Sequence, residues 1–88
     1  MAGVELSLYE ELPDGDLESI LRRRALAKGC ELTLSEREGR TIAAFEQPRR
    51  FGRRRSVLLA DSDDKRRALL GLLRNDDVIR NFERIRRT

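Results

Sequence analysis

The residues best placed to do chemistry lie between positions 48 and 55. Pro48-Arg49-Arg50-Phe51-Gly52-Arg53-Arg54-Arg55 holds five arginines and no acid. Guanidiniums this close repel one another unless an anion screens them, and phosphate is the anion whose oxygen pairs match the arginine fork. Nineteen basic residues, all Arg except Lys28 and Lys65, stand against sixteen acids for a formal charge of +3, so without these five arginines the chain is net acidic. Codon usage can scatter arginines along a chain; it does not gather them.

Most catalytic chemistry is excluded by what is missing. The chain has no histidine and one cysteine, Cys30. Neither Ser/His nor Cys/His nucleophiles can be assembled, the usual zinc sets lack ligands, and no internal disulfide can form. Cys30 reads as a small buried residue. The paired acids Asp63-Asp64 and Asp76-Asp77 read as helix caps and turns in preference to a magnesium site. We therefore expect no enzyme, no cofactor and no metal. No apolar run approaches the roughly 18 residues that span a bilayer, and the N-terminal stretch carries acids instead of a basic lead. A soluble chain without a secretory signal is expected.

The elements that would position the arginines follow from periodicity. Val4, Leu6 and Leu8 alternate with polar residues, which predicts a strand at about 4–9. Pro13-Asp14-Gly15 interrupts it, and Asp14 or Asp16 could cap a helix whose face is Leu17, Ile20, Leu21 and Ala25 and whose left-handed end is Gly29. Arg22-Arg23-Arg24 reads as a solvated surface of that helix, with Arg24 close to the apolar face. Cys30, Leu32 and Leu34 then alternate as a strand, and Ile42-Ala43-Ala44-Phe45 follows Glu38-Gly39. Three readings fit this stretch: a tight hairpin at 37–40, one long strand bent by a bulge at Gly39 and turning in the arginine loop, or a helix from Ser35. Ser56-Val57-Leu58-Leu59-Ala60 reads as a strand in the middle of a sheet. Asp61 or Ser62 would cap a second helix with the stripe Leu69, Leu72 and Leu73, ended by Asn75-Asp76-Asp77. The apolar positions 78, 79, 82 and 85 that follow suit a helix face better than a strand.

Over nearly the whole chain the sequence resembles small-subunit ribosomal protein six of bacteria and organelles. The resemblance is carried by the opening Met1-Ala2-Gly3-Val4-Glu5-Leu6-Ser7-Leu8, by Glu38-Gly39 with Ala43-Ala44-Phe45, by Phe51-Gly52, and by Asp76-Asp77-Val78-Ile79-Arg80. It implies an α+β fold of the ferredoxin-like kind, a split βαβ sandwich (βαββαβ) over residues 1–88 as one domain. Its four-stranded antiparallel sheet would carry two helices on one face, with the first and third strands central and the other face open. It favours the strand bent at Gly39 and a last strand at about 77–86. By the same resemblance the protein would be a constituent of the small ribosomal subunit, contacting ribosomal RNA and a small neighbour, ribosomal protein eighteen or its equivalent, in the mitochondrial matrix sooner than in a bacterial cytoplasm. The RNA-binding residues would be Arg40, Arg49, Arg50, Phe51, Arg53, Arg54, Arg55, Arg80, Arg84, Arg86 and Arg87, with Phe51 either stacking on a base or closing a small apolar cluster. The rival reading from another class is an adaptor or small-molecule-binding domain on the same fold, which would have little use for an acid-free five-arginine turn.

Overall fold

The computed structural model describes residues 9–48 and 55–87, with residue 55 and those from 82 onward described by backbone alone. The expected strand at 4–9 lies outside the described residues except for Tyr9. Tyr9 and Glu10 have helical backbone, and the Leu12 N–H closes their turn on the Tyr9 carbonyl at 3.1 Å. The order that follows is α1 (Asp14–Ala27), β1 (Glu31–Arg37), β2 (Arg40–Gln47), β3 (Arg55–Ser62) and α2 (Lys65–Arg87). This is an α+β arrangement of two helices and a three-stranded antiparallel sheet ordered β1-β2-β3.

The first helix starts where Pro13 sets an extended backbone, and no side chain caps it. Asp14, expected to cap, instead accepts from Arg66 Nη1 at 3.0 Å. Its end is as the sequence indicates. Gly29 takes φ +69°, the Cys30 N–H reaches back to the Ala25 carbonyl at 2.8 Å, and the Gly29 N–H reaches the Leu26 carbonyl at 3.0 Å. These two bonds satisfy carbonyls that the helix end would otherwise orphan.

Of the three readings of the 30–45 stretch, the tight hairpin is the one adopted. Arg37 pairs with Arg40, and the two residues between them, Glu38 and Gly39, both have positive φ, 53° and 76°. A two-residue turn with both residues in the left-handed region matches the right-handed twist of its strands. Chain reversal therefore comes at Gly39, which overturns the single bent strand. A bulge does occur, in β3: register shifts between Phe45 and Glu46, whose partners are Leu58 and Ser56, leaving Val57 unopposed. The 56–60 segment, expected in the sheet centre, flanks β2, and Leu59 is 50% exposed.

Core and helices share one sheet face. Leu17, Leu21 and Ala25 of α1 and Ala68, Leu69, Leu72 and Leu73 of α2 are fully buried with Ala43 and Phe45 of β2, and Cys30 joins them. Burial of each such Leu is worth about 1.5–3 kcal/mol.

The expected last strand at about 77–86 is not formed: α2 runs unbroken from Lys65 to Arg87. The turn-forming Asn75-Asp76-Asp77 lies inside the helix because each side chain has a distant partner that holds it there. Asn75 Nδ2 donates to the Leu59 carbonyl at 3.1 Å, while Asp76 and Asp77 bind α1. Tertiary partners override a weak local preference, and the periodicity at 78, 79, 82 and 85 is indeed helical. The cap of α2 is Asp64, whose Oδ1 accepts the Arg66 N–H at 3.3 Å; Ser62 Oγ accepts from Asp64 N, and Asp61 is engaged by Arg40.

Candidate nucleic-acid interface

The connections divide the two ends of the sheet. At one end lie the Glu38-Gly39 turn, the exit of β3 and the starts of both helices. At the other, Gln47 pairs with Arg55, so the arginine loop leaves and re-enters the sheet there, beside the start of β1. Both helices run toward this second end. Asp14 and Glu18, early in α1, meet Arg66 and Lys65 of the first turn of α2, whereas Arg24 and Lys28, late in α1, meet Asp76 and Asp77.

The longer α2 carries its last turns to the loop. Asn75 is fixed beside Leu59, and the four residues from Leu59 back to Arg55 span about 13 Å of strand. A helix rises that far in about nine residues, which sets Arg84 level with Arg55. Loop anchors and the helix tail thus converge on one end of the molecule.

What fixes α2 in this position is a buried ion cluster. Asp76 is fully enclosed, yet three cations reach it: Arg24 Nη1 at 2.9 Å, Arg80 Nε at 3.0 Å, and Lys28 Nζ at 2.6 Å from Oδ1, in ion contact without hydrogen-bond alignment. Arg24 Nη1 also donates to Asp77 at 2.6 Å and its Nη2 to Tyr9 Oη at 2.9 Å, with the guanidinium 5.6 Å from the Tyr9 ring centre. Burial alone would lower the Arg24 pKa; the hydrogen bonds and charges of Asp77 and Asp76 outweigh it and raise the value above its ordinary level. Arg24 is therefore not part of a solvated helix surface but the bridge between two helices.

The expected site residues are sorted by this geometry. Arg49, Arg50, Phe51, Arg53 and Arg54 lie outside the described residues. Arg55 opens β3 opposite Gln47, and Arg84, Arg86 and Arg87 fall in the last turns of α2. Arg80 is on the same stretch but is held by Asp76. Arg40 is not among them: it sits at the opposite end, bound to Asp61 through Nη2 at 2.5 Å and Nε at 3.0 Å, and this carboxylate raises its pKa. Lys65 is similarly engaged by Glu18 at 2.9 Å, which raises its pKa.

Sequence reasoning missed two things. The first is Asp76, which falls three residues after Leu73 and seven after Leu69, in the row of the core stripe; an acid in an apolar row signals a buried ion pair. The second is a pair of α2 arginines, Arg67 and Arg74, which like Arg22, Arg23 and Arg37 have no ion pair among the described residues, whereas Arg24, Lys28, Arg40, Lys65, Arg66 and Arg80 do. Their spacing of seven residues was the available sign. Among the described residues no group of acids, Cys or His could hold a metal ion, and no helix is long and apolar enough to cross a membrane. Comparison with protein-family models, curated proteins and solved structures finds no match.

Proposed function

We propose that the chain is a non-catalytic RNA-binding protein that grips the phosphate backbone with its basic end. The observation that carries this reading is the convergence of two arginine-rich segments. The 48–55 segment and residues 80–88 hold nine arginines against one acid, Glu83, and the described anchors of the first, Gln47 and Arg55, lie at the end of the sheet toward which α2 runs. Arg80 already has a carboxylate; the others supply guanidiniums that suit phosphate oxygens. Such contacts position a protein on RNA and make affinity strongly salt-dependent.

The narrower form of the proposal is a constituent of the small ribosomal subunit, bound to its RNA beside ribosomal protein eighteen or an equivalent. It rests on the sequence resemblance, as does the ferredoxin-like form of the fold with its fourth strand; the three-stranded sheet in hand lacks the last strand that the resemblance implies. Cosedimentation of the tagged protein with small ribosomal subunits tests that form.

The broader reading is tested by the triple variant Arg53→Ala, Arg54→Ala, Arg55→Ala in fluorescence anisotropy with labelled RNA. Affinity should fall, and the salt slope should become shallower by about 0.7–0.9 for each phosphate that the variant no longer neutralises. Melting temperature should stay near that of the parent, since the apolar core is built from α1, α2, β2 and Cys30. An RNA affinity and slope equal to the parent's would refute the placement of RNA at this end.

A further inference from the structure

A concavity of about 300 Å³ lies along α2, lined among the described residues by Glu10, Arg67, Leu70, Gly71 and Arg74. Arg67 and Arg74 are two turns apart on one side of the helix, about 10.5 Å along its axis. Gly71 lies between them, close against β3, where an added Cβ would stand 3.4 Å from the Ala60 side chain, and half-buried Leu70 supplies an apolar wall. Both arginines are exposed, and among the described residues neither is matched by a carboxylate even though Glu10 stands at the rim. The two acids in the middle of α2, Asp76 and Asp77, are turned to α1 and taken up there. This flank of the helix therefore keeps its positive charge.

Resting on the RNA-binding reading, we propose that this groove takes one nucleotide of a single-stranded RNA segment: Arg67 and Arg74 clamp its phosphates, and the base lies against Leu70. Two such guanidiniums select an anion, and the apolar wall between them suits a flat unpaired base. A duplex keeps its bases inside and would offer the groove only phosphate. The groove and the basic end share one helix, so a strand could run from Arg67 along α2 to the arginines of its last turns.

The test uses the full chain and two fluorescent probes, an oligouridylate and an RNA duplex, in anisotropy titrations over a salt series. The double variant Arg67→Ala, Arg74→Ala is compared with Arg22→Ala, Arg23→Ala, which removes two exposed arginines of α1 outside the groove, and with the loop triple variant. On the oligouridylate the groove variant should have a salt slope shallower by about 1.4, at about 0.7 for each single-strand phosphate released. The α1 variant should keep the parent's slope, and the groove variant should lose less affinity on the duplex than on the oligouridylate. Equal losses for the groove and α1 variants would mean bulk charge alone, and equal losses on the two probes would mean no inserted base; either overturns the proposal. A loop variant that binds weakly beside an unaffected groove variant overturns the groove alone, whereas failure of the parent to bind either probe removes the RNA-binding reading as well. Since neither arginine has an ion pair among the described residues, thermal melts should show the groove variant folded.

Discussion

Asp76 shows how much of this fold depends on one residue. A fully enclosed carboxylate is tolerated only because Arg24, Lys28 and Arg80 surround it. Asp76→Asn keeps the size but leaves those cations facing a neutral amide, so we expect a loss of about 3–5 kcal/mol in urea unfolding, as when one partner of a buried pair is removed. Asp77→Asn should cost less, because Asp77 is partly exposed and Arg24 keeps Asp76. Leu69→Ala and Leu72→Ala, both fully buried, should each cost about 2–5 kcal/mol and in so small a domain can abolish folding. The stripe of leucines was legible in the sequence because its signal is local. The place of Asp76 in the leucine row signals a buried pair, but its partner was not legible, because Arg24 lies 52 residues away.

Among the elements, the hairpin and α2 show where spacing and composition disagreed. Helix periodicity beyond Val78 pointed the right way, and the turn residues before it pointed the wrong way; the ion cluster and the Asn75 bond to β3 decide the outcome. Carbon chemical shifts should accordingly be helical without a break from Lys65 to Arg87, and a return to extended values at Val78–Ile85 would contradict the fold. The hairpin could be read from Glu38-Gly39 only as one of three options, since Glu is an unusual occupant of a left-handed position. Glu38 at φ 53° is strained relative to Asn or Gly. Replacing it with Asn should therefore raise stability by about 0.5–1 kcal/mol, and Gly39→Ala should lower it by about 1–2 kcal/mol, both measurable by chemical denaturation.

For the whole molecule, the gathering of arginines at 48–55 was legible from composition alone, but the position of its anchors was not, because which end of a sheet receives a helix tail is a matter of topology. Binding and stability should separate along that division: loop variants should change the salt dependence of RNA binding, and core variants the unfolding midpoint. The shared direction of α1 and α2 has one more effect. Each helix carries a macrodipole of about half a charge, positive at its start and negative at its end. Because both helices finish toward the same end, their negative poles lie on the side of the Gln47–Arg55 pair, and the pole of α2 falls within the turn that carries Arg84, Arg86 and Arg87, where it favours positive charge. Their positive poles lie where Asp14, Asp16, Asp63 and Asp64 gather. The protein is thus an oriented electrical object, and in the field of a polyanion it should turn its arginine end forward before contact, so that lowering the salt speeds productive encounters as well as tightening the final complex.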